Sequence, residues 1–158
     1  MYCYGAMRLH HNVNTKVERI MANTPSTTLN ENAKAWVAAL RSGDYTQTKK
    51  MLHRVTPENV PSFCCLGVAC KLYIDSVGGN WDTIRRGAWN EQVRFTDNEG
   101  ASADSDLTPA VMDWLGLADS EGAYCVGTLV SLNDNLDFTF DQIADAIESQ
   151  PEGLFRTE

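Results

Sequence analysis

Between Glu31 and Arg41 the apolar residues Ala33, Trp36, Val37 and Leu40 recur at i, i+3, i+4 and i+7, the spacing that lines one face of an α-helix. Asn30 precedes this run as a suitable N-cap, and Gly43 follows Ser42 as a stop, so a helix with one core-facing side is expected over about 31–41. A second stripe, Phe63, Leu66, Gly67, Cys70, Tyr73, Ile74 and Val77, predicts a longer helix that ends at Gly78-Gly79. Thr108-Pro109 opens a short helix with Val111, Met112 and Leu115 on its apolar face and Gly116 as its stop. The last helix has the fullest signature: Thr139 with Gln142 spells a capping box, Phe138 with Ile143 a hydrophobic staple, and Asp141 sits in the first turn. It should run to about Ser149, ahead of Pro151.

Strand signals are weaker. Tyr45 to Thr48 reads as a short extended segment, while Lys49 to Val55 fits either a continuation of it or a helical turn. Thr56 to Ser62, with Pro57 and Pro61, is expected to be a loop, as is the polar stretch Thr96 to Asp106. In Gln92 to Phe95 the alternation of Val93, Arg94 and Phe95 marks a half-buried strand. Met1 to Leu29 carries no amphipathic run, and Asn23 to Thr28 is a polar breaker. The expected molecule is therefore a single α+β domain over 30–158, mainly helical, with a small antiparallel sheet from 45–48 and 92–95. Residues 1–29 are expected to be a loosely attached arm, or, with Met21 as an alternative start, partly an upstream extension.

Composition narrows the classes. The chain has 158 residues, 43% of them apolar, enough for one sizeable core. No run of about eighteen apolar residues is present, which excludes a spanning helix of that kind. Arg8, His10, His11, Asn12, Asn14 and Lys16 interrupt any secretory core near the start, so a cytoplasmic location is expected. Five cysteines, two of them adjacent, do not suit a secreted disulfide framework. The net charge of -8 is unevenly spread: residues 1–94 carry twelve Lys or Arg against seven Asp or Glu, and residues 95–158 one against fourteen. An acidic half repels nucleic acid and attracts basic protein surfaces, or else is a solvated face.

Candidate chemistry starts with Cys64, Cys65 and Cys70. Their spacing lacks the Cys-x2-Cys pair of structural zinc sites, and Cys70 lies on the apolar stripe, so packing is favoured over metal binding. A cysteine-dependent enzyme remains an alternative: Cys64 or Cys65 near a helix start with His53 as base, although no third orienting residue is evident. Trp81 and Trp89 beside Arg85-Arg86 fit either sheet packing or a nucleotide-binding sponge in which an indole stacks on a base and arginines meet phosphate. Phe140 to Ile147 resembles the first helix of a helix-turn-helix, but its charges are acidic and no recognition helix follows, so direct DNA binding is not expected. No cofactor or metal is expected, and the oligomeric state is not legible.

Trp36, Ala39-Leu40-Arg41-Ser42-Gly43-x-Tyr45-x-Gln47, Cys64-Cys65-Leu66-Gly67-Val68-x-Cys70, Trp114-Leu115-Gly116-Leu117, Leu132-Asn133-Asp134 and Phe140-x-x-Ile143-Ala144-Asp145-x-Ile147-Glu148 together resemble a family of small proteins from tailed bacteriophages and prophages. The resemblance runs in order over 31–149. It departs at residues 1–30 and at Asn135-Leu136, where a glycine commonly follows Asn-Asp. It implies a phage product in the host bacterial cytoplasm and brings no activity with it. Its polar members Arg41, Tyr45, Gln47, Asn133 and Asp134 are candidate ligand-binding residues, lining one pocket with Arg85, Arg86 and Trp89; the alternative is a structural role, with Asn133-Asp134 as a turn. Asp137, Asp141, Asp145 and Glu148 are the candidate partner-binding residues, the last three on one helical face. The function expected from these readings is a non-enzymatic accessory protein that binds a host protein or a small nucleotide-like metabolite.

Overall fold

Asn30 caps the first helix by accepting the Ala33 amide on its side chain at 2.7 Å, and the four stripe residues of that helix, α1 (Glu31–Arg41), namely Ala33, Trp36, Val37 and Leu40, are all buried. The computed structural model describes residues 28–86 and 91–157, so all but the last two residues of the expected arm 1–29, and Trp89, lie outside the described residues. After α1 come β1 (Thr46–Gln47), β2 (His53–Val55) and β3 (Pro61–Phe63), then α2 (Cys65–Ser76). β4 (Gly79–Arg86) and β5 (Glu91–Asp97) form a long antiparallel pair, followed by β6 (Ser102–Ala103) and α3 (Pro109–Leu115). A small hairpin of β7 (Ala123–Tyr124) and β8 (Gly127–Thr128) leads into α4 (Leu129–Asp134) and α5 (Phe140–Glu148).

The α+β class holds, but the balance of the expected fold does not. Among the described residues the main sheet has six strands, in the order β1-β3-β2-β5-β4 with β6 also on β5, and it is mixed because β1 runs parallel to β3. The molecule is therefore not mainly helical. The segments 45–48 and 92–95 do contribute strands, yet they do not pair with each other. The expected loops 56–62 and 96–106 each hold strand residues: Pro61 pairs with Val55, and Thr96 pairs with both Asn80 and Ser102. Pro61 is tolerated as the first residue of its strand, where the missing N–H is least costly.

α2 seats the helical layer on the sheet. It starts two residues later than its stripe implies, since Phe63 ends β3 and Cys64 is the N-cap, its sulfur accepting the Gly67 amide at 3.4 Å. From Cys65 to Cys70 every residue is buried, so the first half of the helix has no solvated side, and Val77 is exposed beyond its end. Gly67 is required at its position: a Cβ there would stand 1.6 Å from the Leu52 carbonyl oxygen, so the helix backbone lies directly on the chain entering β2. The Trp36 indole donates to the Cys65 carbonyl at 2.8 Å, joining α1 to the start of α2.

The remaining helices close the core. α3 has Pro109 in its first turn and ends on Gly116 at φ +78°, while Asn30 and Asn32 both donate to the Trp114 carbonyl at its end. α5 forms the expected capping box, with Gln142 N donating to Thr139 Oγ1 at 3.3 Å and Thr139 N to Gln142 Oε1 at 2.9 Å. Its Phe140, Ile143, Ala144 and Ile147 join Trp36, Leu66, Leu115, Leu129 and Leu154 in one core. Each such large apolar side chain contributes about 2 kcal/mol on burial. No helix among the described residues is long and apolar enough to cross a membrane.

Candidate functional site

Gln47 meets Asn133 and Asp134, distant from it in sequence, beside the N-terminus of α2. Gln47 Nε2 donates to Asn133 Oδ1 at 2.9 Å and to the Phe138 carbonyl at 2.8 Å. Asn133 Nδ2 donates to the Thr48 carbonyl at 2.9 Å and to Asp134 Oδ1 at 2.7 Å, and Asn133 Oδ1 also accepts the Cys65 amide at 3.3 Å. Asp134 Oδ1 takes the Lys50 amide at 3.0 Å. Asn133 is 1% exposed and is not in a turn: it is a buried residue of α4, and its amide ties the β1 loop, α2 and α4 together. A short polar side chain is suited to this because it both donates and accepts, and each buried backbone group it serves would otherwise lie unpaired. The left-handed residue of the following turn is Asp137, at φ +55°.

Arg41 ends α1 and faces α5. Its Nη2 donates to Asp145 Oδ1 and to Glu148 Oε2, each at 2.7 Å, and these two carboxylates raise its pKa further above the ordinary guanidinium value. One candidate ligand residue is thus engaged by two candidate partner residues. Asp137 is ion-paired to Lys49, and Asp141 is exposed in the first turn of α5, where the helix dipole favours it. Sequence reasoning passed over Lys49; nothing local signals a partner 88 residues away.

Tyr45 is packed rather than presented, its ring edge-on to Phe63 at 5.7 Å. Arg85 and Arg86 are placed by register alone, opposite Gln92 and Glu91 at the β4 edge. β1 and β4 occupy opposite edges of a five-strand path, four inter-strand steps or about 19 Å apart. The structure therefore brings together Gln47, Asn133 and Asp134, brings Arg41 onto Asp145 and Glu148, and leaves Arg85 and Arg86 on the far side.

Cys64, Cys65 and Cys70 are too deeply buried to serve readily as nucleophiles. Cys64 is 5% exposed and Cys65 and Cys70 are fully buried; burial pushes the Cys64 thiol up to about 12 and the other two well above their usual value. The helix start, which would favour a thiolate, is outweighed by desolvation. Cys65 Sγ points at the Leu129 carbonyl, 3.7 Å away. His53 is also buried, stacked on Phe63 at 4.4 Å with Nδ1 on the Ser62 carbonyl at 2.9 Å, and desolvation lowers its pKa. Cys125, at the β7–β8 turn, is the one exposed thiol among the described residues. No group of three or more His, Cys, Asp or Glu among them could hold a metal ion.

Comparison with curated proteins finds no match, and comparison with solved structures finds none. A family model described as a domain of unknown function, DUF8296, matches residues 29–151, a span that opens just ahead of the α1 cap and closes just after α5 and includes the Gln47–Asn133 network and the Arg41 pairs. The chain belongs to the DUF8296 family.

Proposed function

We propose that this chain is a non-enzymatic accessory protein of a tailed bacteriophage or prophage that acts in the host cytoplasm by binding a basic surface of a host protein. The observation that carries the reading is the acidic surface around α5. Asp137, Asp141, Asp145 and Glu148 are all exposed, with Asp137 and Asp145 side chains at 76% and 70%, and among the described residues they ion-pair only with Lys49 and Arg41. Beneath them Phe140, Ile143, Ala144 and Ile147 anchor the helix, so the acidic side faces solvent while the apolar side holds the fold, and the pairs to Arg41 and Lys49 are exposed ones that a basic partner can compete for. The burial of Cys64, Cys65, Cys70 and His53 supports binding over cysteine chemistry.

Charge-led recognition acts mainly on the association rate and is screened by salt, over about 8 Å at 0.15 M. The test is capture from host lysate by the unmodified protein and by a variant carrying Asp137→Asn, Asp141→Asn, Asp145→Asn and Glu148→Gln, followed by association kinetics of the captured protein against salt. The expected result is an on-rate lower by about tenfold or more in the variant and falling with salt for the unmodified chain. Equal capture by both proteins, at a rate indifferent to salt, would overturn the reading.

A further inference from the structure

The solvent side of the sheet carries arginines that the fold does not use. In the ladder Arg54 of β2 pairs with Gln92 of β5, which pairs in turn with Arg85 of β4, and Arg94 lies two residues along β5 from Gln92. Directly paired residues share a face, as do residues two apart in a strand, so Arg54, Gln92 and Arg94 lie on the side opposite Val93 and Phe95. Of the four arginines whose side chains are described, Arg41 and Arg156 face carboxylates, and Arg54 and Arg94 are in no ion pair among the described residues. Arg94 has an acid directly across the ladder in Asp82, but the two form no ion pair, and the carboxylate instead accepts from Asn80 Nδ2 at 2.5 Å and Thr96 Oγ1 at 3.0 Å. Arg54 Nε is buried with no hydrogen-bond partner among the described residues.

Like charges on one sheet face repel, more weakly at a diagonal than directly across, and a buried guanidinium N–H without an acceptor adds the larger cost. Such an arrangement is relieved by an anion. Arg54 and Arg94 are diagonal neighbours about 8 Å apart at the backbone, near enough for two long side chains to converge on one oxyanion with the Gln92 amide between them. We propose that the solvent face of the sheet at Arg54, Gln92 and Arg94 is a binding site for a phosphate-bearing small molecule, with Arg85 at the adjoining register position. The site lies on another surface from the α5 carboxylates, and its ligand is measured without any host protein, so either proposal can fail alone.

Pyrophosphate and AMP are the probes, followed by calorimetry and by amide and guanidinium NMR of the full chain at low salt. Saturable binding of pyrophosphate below about 1 mM, with affinity lowered about tenfold or more in both Arg54→Gln and Arg94→Gln, is the expected result. Arg94→Lys should recover only part of the affinity, because an ammonium lacks the two-pronged donor geometry. Arg94 is exposed, so its variants keep the test valid should Arg54→Gln fail to fold. Absence of saturation at about 10 mM, or binding unchanged by the Arg94 variants, would overturn the site. Tighter binding of a single-stranded oligonucleotide than of pyrophosphate, scaling with its length, would overturn the small-molecule assignment in favour of nucleic acid.

Discussion

Around α5 two cations meet counter-charges: Arg41 holds Asp145 and Glu148, and Lys49 holds Asp137. Across the molecule, on the solvent side of β2 and β5, Arg54 and Arg94 make no ion pair among the described residues, even though Asp82 stands directly across the ladder from Arg94. Exposed pairs contribute only about 0–1 kcal/mol, so neither arrangement is imposed by stability. The lesson is about accounting for charge: matched surface ions are consistent with simple solvation, whereas unmatched like charges on a rigid sheet are a feature that folding alone does not explain.

The contrast can be tested first through the polar groups beneath each surface. Asn133→Ala should cost about 3 kcal/mol in urea denaturation, because it leaves the Cys65 amide and the Thr48 carbonyl without their side-chain partner in a buried setting. Gln92→Ala, on the sheet face, should cost less than about 0.5 kcal/mol. Similar losses in the two variants would erase the distinction between a polar network that builds the fold and a polar surface that does not.

A smaller effect concerns the start of α5, on which the acidic surface depends. Thr139→Ala removes the capping oxygen and should cost about 1 kcal/mol, and Thr139→Ser should be nearly neutral. Equal losses for both would show that the hydroxyl is not what orders the first turn.

The smallest effect is the most discriminating in sign. Arg41→Gln should destabilise by about 0.5 kcal/mol at low salt, since a two-fold ion pair on a side chain a third exposed is lost. Arg94→Gln should instead be neutral or stabilising by a few tenths, about 0.3 kcal/mol, as like-charge repulsion is relieved. Both shifts should shrink in about 1 M salt. A destabilisation by Arg94→Gln equal to that by Arg41→Gln would mean that the sheet arginines are part of the scaffold.

Legibility differed between elements for identifiable reasons. α1, α3 and α5 were readable because each pairs a periodic apolar face with a local punctuation mark: Asn30, Pro109 and Gly116, or the Thr139 and Gln142 box. α4 was missed because six residues are too few for a helical period, and Asn133, its most constrained residue, belongs to a type that is favoured in turns. β2, β3 and β6, of three, three and two residues, carry no alternation to detect and are held by their neighbours. The stripe drawn through 63–77 had the right phase, with Leu66, Gly67, Cys70 and Tyr73 all buried, but overran the helix at both ends, because Phe63 closes β3 and Val77 is exposed past the last turn. Of the candidate site, the residues were legible and their grouping was not: Gln47 and Asn133 are 86 positions apart, and nothing in a linear pattern encodes which side chains meet across such a distance.

By itself the sequence determined the helices that carry their own caps and periodicity, the acidic character of the C-terminal half, and the unsuitability of the cysteine spacing for zinc, because these depend on near neighbours and on composition. Only the tertiary structure decided the order of the strands, the buried placement that raises the thiols, the joining of Arg41 to Asp145 and Glu148, and the placing of half-buried Arg54 and exposed Arg94 on one sheet face with no ion pair among the described residues. Those properties are set by desolvation and by contacts between groups tens of residues apart, and such terms exist only once the chain has closed on itself.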